Sequence, residues 1–413
     1  MRRIAFLVSS LDFGGAQRAV SNISLALGQR YHIDIILNDD SDVLYPYCGE
    51  IISLNVKNNG DRKNLWYQAR VLVKRYIYLN KARRSNRYDA VISFLDSANI
   101  VNIICNARKC SGGPRTIISI RTSPSETSKR RKYYKYTIRP FAMRLYKRSD
   151  VVVSVSEELK NELIGIFGLN SDRVIAIPNG FDVHDIQKRA SEEIDEDVKR
   201  RITGKKVVFT AGRLGVAKCH WHLIRAFSRV KEAVPDAVLM IAGNGELEEY
   251  LYGLTETLGL KNDVIFLGFE KNVYRYIKQA DVFVFPSGFE GFPNALGEAM
   301  CVGAPCVITD FRTGAREILA PELLPDHVVD AVTYCEFGIM TPVCSGIMYK
   351  GWEPLEREES ELAKAVILMI TDSGLNERYR AKSIERSRNL DISSVADKWT
   401  DVIEEGIESF NQN

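Results

Sequence analysis

Two parallel-sheet α/β domains are the architecture that the 413-residue sequence predicts, on three observations. The chain is too long for one ordinary core and fits two domains of about 200 residues each. Short β-branched runs alternate with amphipathic stretches from end to end, the rhythm of helix-covered parallel sheets. A charged, apolar-poor stretch over 187–201 follows Ile177-Pro178-Asn179-Gly180-Phe181-Asp182 and places the boundary there. The first domain is thus expected over 1–184 and the second over 185–393.

Taken in order, the first-domain strands are expected at 4–9, 33–37, 90–93, 116–120, 151–154 and 174–177. Those of the second are expected at 206–211, 238–242, 264–267, 282–285 and 306–309. The opening Met1-Arg2-Arg3 and its short apolar run mimic a signal peptide, but Leu11-Asp12-Phe13-Gly14-Gly15 follows at once, so the run reads as the first strand. A last amphipathic segment, about 394–413, carries Val395, Trp399, Val402, Ile403 and Ile407 near helical spacing and needs an apolar surface to cover.

Hydrophobic residues at 45% and charged residues at 26% fit a soluble globular chain, and no apolar run approaches the ~18 residues of a membrane span. Eight cysteines lie at irregular spacings without a C-x-x-C pair, so reduced, mostly buried thiols are expected, with no disulfide frame and no zinc site. G-x-G-x-x-G is absent, which counts against a dinucleotide-binding oxidoreductase.

The chemistry concentrates at Ser287-Gly288-Phe289-Glu290-Gly291-Phe292-Pro293-Asn294-Ala295-Leu296-Gly297-Glu298. A buried strand leads into a Gly- and Pro-containing turn that opens a helix. Pro is tolerated at a helix start, and the free N–H groups there attract an anion. A carboxylate just ahead of such a turn, Glu290, is better used on hydroxyls attached to the anion than on the anion itself. A second, Glu298, lies about a turn inside the helix, where it reaches hydroxyls on the other side. An anion flanked by two hydroxyl-bearing groups describes a nucleotide-sugar.

The stretch resembles the E-x7-E motif of retaining GT-B glycosyltransferases of family 4, the bacterial surface-polysaccharide and lipid-linked-glycan type. That resemblance implies two Rossmann-like domains facing a central cleft, with the C-terminal helix crossing back to the N-terminal domain. It implies that Glu290 contacts the transferred sugar, Glu298 the ribose, and the backbone of the turn Gly291, Phe292, Pro293 and Asn294 the diphosphate. Further elements match in order. Ala211-Gly212-Arg213-Leu214 with Lys218 resembles the family's G-R-L-x-x-x-K, implying that Gly212, Arg213 and Lys218 meet the departing diphosphate. Cys219 replaces the usual Gly after that Lys. Gly243 and Asn244 open a helix after a strand, and Leu267, Gly268 and Phe269 match the segment whose backbone reads the base. Thr313-Gly314-Ala315-Arg316-Glu317 and the segment after Cys335 also match, in structural roles.

In the first domain Gly14-Gly15-Ala16-Gln17-Arg18 resembles the family's G-G-A-E-R turn, with Gln17 where Glu is common. It is expected to line the acceptor side with Asp96 and Arg121, both at strand ends. Positions 127–149 hold nine Lys/Arg and no acid, interleaved with Tyr133, Tyr134, Tyr136, Phe141 and Tyr146, and 65–78 is also basic and aromatic. Such faces suit an anionic membrane surface or a phosphate-bearing lipid acceptor. No nucleic-acid module accompanies them, so no nucleic-acid partner is expected.

The resemblance therefore implies a retaining transferase with no cofactor and no metal. It moves a hexose or N-acetylhexosamine from a UDP-linked donor to a glycan or polyprenyl-linked acceptor, in the cytoplasm at the inner membrane face. A non-catalytic scaffold of the same fold and a sugar-nucleotide epimerase stay open as alternatives at this point.

Overall fold

The computed structural model describes residues 1–12, 14–41, 43–57, 64–106, 113–130, 134–311, 313–324 and 326–405. Phe13, Tyr133 and Ile407, named above, lie outside the described residues, as do Arg131 and Lys132 of the basic stretch and Cys110 among the eight cysteines. The chain divides into two compact units, Met1–Gly180 with Ile392–Asn413, and Phe181–Asp391.

The first unit is built on seven parallel strands: β1 (Arg3–Leu7), β2 (His32–Leu37), β3 (Glu50–Ser53), β4 (Ala90–Phe94), β5 (Arg115–Ile120), β6 (Val151–Ser154) and β7 (Val174–Ala176). Their spatial order is β3-β2-β1-β4-β5-β6-β7. Near-continuous burial along β1, β4 and β5 follows from helices covering both faces, which is why these strands read as unbroken apolar runs. Ile4 pairs with Ile33 on one side and Ala90 on the other. Three helices matter below: α1 (Gly15–Leu27), α2 (Leu65–Arg84) and α3 (Asp96–Asn106).

The second unit carries β8 (Lys206–Ala211), β9 (Ala237–Ala242), β10 (Val264–Gly268), β11 (Val282–Phe285), β12 (Cys306–Thr309), β13 (Thr333–Tyr334) and β14 (Ile339–Thr341). Their order is β10-β9-β8-β11-β12-β14-β13. Six are parallel, and β13 runs antiparallel to β14 at the edge, which corrects the expectation of a purely parallel sheet. That short return needs only a tight turn, Cys335 N–H donating to the Gly338 carbonyl at 2.8 Å. β3 was not expected either: its Glu50-Ile51-Ile52-Ser53 offers two apolar residues, half-buried on a sheet edge.

The C-terminal helix Ile392–Glu404 belongs to the first unit, where it packs on α1. Val395, Trp399, Val402 and Ile403 are buried in the core formed by β1, β2 and β4, with the Trp399 ring 6.2 Å from that of Phe94. Tyr31 donates to Glu404 at 3.0 Å, and Arg30 pairs with Asp397 at 2.7 Å. Trp399 is fully buried in this cluster, so truncating it costs about 3–5 kcal/mol.

Candidate active site

Strand order decides where the site forms. In the second unit the chain leaves β8 in one direction and returns through β11 in the other, so the loops after these neighbouring strands diverge and open a crevice at their carboxyl ends. The loop after β8 carries Gly212, Arg213 and Lys218, and that after β11 carries Ser287 to Pro293. A backbone bond from Gly288 N–H to the Ala217 carbonyl, 3.0 Å, ties the two loops together.

Lys218 and Glu290 meet there. The ammonium Nζ lies 2.7 Å from Glu290 Oε1, both side chains largely covered. Nζ also sits 4.4 Å from the centroid of the Phe285 ring. Ser287 donates to Glu290 Oε1 at 3.1 Å, and Thr309 at the end of β12 holds the Ser287 carbonyl at 2.6 Å. The carboxylate is therefore fixed by a cation and a hydroxyl whose own backbone is anchored one strand further along. Phe285, Ser287 and Thr309 were not among the expected site residues. All three are strand-end positions whose importance depends on which strands become neighbours.

Glu298 is buried in the helix Asn294–Val302, whose N-cap position is Pro293. The Asn294 amide donates to the Phe292 carbonyl at 3.0 Å, so it is engaged within the turn. Gly297 is needed for close approach: a Cβ there would fall 2.4 Å from the Phe181 ring.

Arg213 stands apart from the Lys218–Glu290 pair. Its side chain is 77% exposed, and its guanidinium is paired with Glu246, Nε and Nη2 each 3.1 Å from Oε2. Gly243 and Asn244 form the adjoining turn, where Asn244 is exposed and its carbonyl accepts from Leu214 N–H at 2.9 Å. Gly243 has φ +132°, and a Cβ on it would lie 2.0 Å from the Gly212 carbonyl oxygen. Its N–H donates to the Gly268 carbonyl at 2.7 Å, bringing Leu267, half-buried, and Phe269, exposed, to the same edge of the sheet.

Cys219 takes the left-handed conformation, φ 50°, in place of the glycine common at this point. Beside it His220 is buried, and burial, followed by the neighbouring Lys218 charge, depresses its imidazole to about 3. It stays neutral near pH 7 and adds no charge beside Lys218. Behind the loop, His222 Nδ1 lies 2.8 Å from Glu359 Oε1, to which Arg225 Nε also donates at 2.8 Å. His222, Cys344 and Glu356 come within metal-ligating distance of one another, yet both imidazole nitrogens have partners, Glu359 at Nδ1 and the Gly346 amide at Nε2, 3.2 Å. This cluster fixes the helix that follows Lys218. Arg316 is likewise structural, forking onto Asp310 at 2.8 and 2.6 Å.

In the first unit the order reverses between β1 and β4. Gly14 and Gly15 begin α1 with no side-chain cap, and Gln17 folds back over Gly14. Arg18 lies over the Tyr45 ring at 5.5 Å. Asp96 opens α3 and accepts from the Tyr146 hydroxyl at 2.7 Å. Arg121 follows β5 and is buried, with Nη1 donating to Asn179 at 2.6 Å. The basic segment divides: Tyr134, Leu145 and Tyr146 face the core, while Lys129, Lys135, Tyr136, Phe141, Arg144, Lys147 and Arg148 are exposed.

Residues 191–324 match the model for glycosyl transferases group 1, and 13–185 match glycosyltransferase family 4. An uncharacterised glycosyltransferase of Methanocaldococcus jannaschii is 32% identical over 354 residues, 84% of this chain and 86% of the relative. An N-acetylgalactosamine-N,N'-diacetylbacillosaminyl-diphospho-undecaprenol 4-alpha-N-acetylgalactosaminyltransferase of Campylobacter jejuni is 26% identical, covering 96% of this chain and 98% of its own. Among solved structures, Anabaena HepE, crystallised with UDP and glucose, superposes with TM-score 0.73 at 19% identity over 98% of this chain and 100% of that one. The paired sheets with their helix layers are thus the GT-B fold, and the chain belongs to the family 4 type of GT-B glycosyltransferases.

Proposed function

We propose that this glycosyltransferase moves a hexose or N-acetylhexosamine from a UDP-sugar to a lipid-linked, diphosphate-bearing acceptor, with retention and without a metal. The observation that carries the donor half is the covered Lys218–Glu290 pair, with buried Glu298 inside the helix that follows. A diphosphate offers Lys218 a denser negative charge than one carboxylate does. Once it draws the ammonium away, Glu290 is free to accept from the sugar hydroxyls while Glu298 takes those of the ribose. As the anomeric C–O bond breaks, Lys218 and Arg213 neutralise the charge left on the phosphate, in place of a metal ion. The acceptor hydroxyl attacks from the face the phosphate leaves, and its proton passes to a phosphate oxygen, so no enzymic nucleophile is required.

Two relatives support the acceptor class. The Campylobacter enzyme is named for a diphospho-undecaprenol substrate, and an Escherichia coli galactosyltransferase named for a GlcNAc-diphosphoundecaprenol is 30% identical over 250 residues, 58% of this chain and 62% of its own. No described helix is long and apolar enough to cross a membrane. Contact with an anionic bilayer is assigned instead to the exposed cations of 127–149 and to α2. Val71, Arg75, Leu79 and Ala82 bury one stripe of α2, while Leu65, Trp66, Leu72, Val73, Tyr76 and Ile77 are exposed. At about 100° per residue these six cover an arc of roughly 140°, bordered by exposed Arg70, Lys74 and Lys81.

Thermal-shift comparison of UDP-, GDP- and ADP-sugars in EDTA tests the donor half. Stabilisation by a UDP-sugar alone, lost in Glu298→Ala, is expected; a requirement for Mg²⁺ or Mn²⁺ would overturn the metal-free reading. Product anomer analysis with undecaprenyl-diphosphate-sugar acceptors tests retention.

A further inference from the structure

Arg121 is a charged side chain buried without a counter-charge among the described residues. It is 7% exposed at the carboxyl end of β5. Its guanidinium is fixed on two sides: Nη1 donates to Asn179 Oδ1 at 2.6 Å, and Cζ lies over the Phe94 ring, 5.3 Å from the centroid. The other two nitrogens, Nε and Nη2, are buried with no hydrogen-bond partner among the described residues. Burial pulls its pKa down to about 9, with no carboxylate among the described residues offsetting it.

The orientation of the two unmatched donors is informative. Nε and Nη2 are the pair whose N–H bonds point the same way along one edge of the planar group, the fork that receives two oxygens of one oxyanion. A buried donor left unmatched costs about 1–3 kcal/mol, more when it is charged. A protein with only structural use for this position would gain by placing an apolar residue there. The surroundings favour an anion further. Arg121 follows the strand next to the β1–β4 reversal, where the uncapped 13-residue helix α1 begins and where Leu95, φ 73°, holds a left-handed conformation that a leucine adopts only under constraint.

We infer that the Nε/Nη2 edge of Arg121 is a preorganised fork for a phosphoryl group, that of the acceptor lipid diphosphate. The identity of the phosphoryl carrier rests on the transferase reading above, whereas the anion site itself does not. Asn179 and the Phe94 ring act as positioning residues that aim the fork.

The test uses the full chain and two probes, UDP and inorganic pyrophosphate, followed by calorimetric titration and thermal melting. In wild type saturated with UDP, pyrophosphate is expected to bind at a second site. Arg121→Gln should weaken that binding on the order of tenfold or more while leaving UDP affinity unchanged. Arg121→Lys should also weaken it, since a point charge lacks the fork. Loss of UDP affinity instead would keep the fork but assign it to the donor phosphates. Free of ligand, Arg121→Gln should melt higher than wild type, because an uncompensated buried charge is gone; a purely structural arginine would lower the melting temperature. Unchanged pyrophosphate binding in Arg121→Gln, or no second site in wild type, overturns the assignment. Absence of UDP binding to wild type overturns the donor reading alone, and pyrophosphate titrated without UDP then still tests the fork.

Discussion

Lys218 Nζ and Glu290 Oε1 are 2.7 Å apart and form an ion pair just ahead of the helix Asn294–Val302. A mostly covered ion pair of this kind is a poor stabiliser, because desolvation offsets much of the Coulombic gain. Its effect is to hold both side chains in one orientation.

Removing either member leaves the other unpaired. Lys218→Met and Glu290→Gln are each expected to lower kcat by about 10²–10³-fold. The double variant should lose little more than the worse single one, since both act as one unit. Steady-state kinetics of all three checks this, and additive losses would show that the two act independently.

His220 makes acid stability pH-dependent. Its folded pKa is depressed to about 3, so the unfolded chain takes up a proton near pH 6.5 that the folded chain refuses. Stability should therefore be intact above about pH 6.5 and fall on acidification by roughly 1.4 kcal/mol per pH unit from this group. Chemical denaturation between pH 7 and pH 4.5 should show a shallower loss in His220→Asn than in wild type.

Glu359 receives both His222 and Arg225 out of solvent. Glu359→Ala strands a buried guanidinium and should cost about 3–5 kcal/mol. Urea denaturation measures it, and a loss below about 1 kcal/mol would mean the network is dispensable.

Gly243 tolerates no side chain. With φ +132° and the Gly212 carbonyl where a Cβ would sit, Gly243→Ala must move the loop that carries Arg213 and Lys218. Donor affinity should fall at least tenfold, about 1.4 kcal/mol, with a smaller change in global stability. UDP-sugar titration against the melting temperature separates the two.

Exposed Trp66 and Ile77 on α2 should matter only at a membrane. Trp66→Glu with Ile77→Glu is expected to abolish co-sedimentation with anionic vesicles and to leave UDP-sugar binding in solution unchanged. Equal sedimentation of variant and wild type would remove α2 from the bilayer contact.

Strands and the loops of the candidate site are marked in the sequence for a common reason: each is a local pattern. Buried runs such as Val282–Phe285 and Cys306–Thr309 announce themselves by β-branched and aromatic content. The turn from Glu290 to Glu298 does so by Gly, Pro and carboxylate spacing. The amphipathic period of the final helix showed that it needed a surface. What sequence could not supply is adjacency. That β8 lies beside β11 is a property of strand order, and it alone sets Lys218 against Glu290 while Arg213 turns to Glu246. The same holds for Arg121, an ordinary strand-end arginine in the sequence, whose guanidinium is buried and only partly hydrogen-bonded where Phe94 and Asn179 close around it. Local chemistry is written along the chain; which charges are paired, and which are not, depends on packing between residues far apart in it.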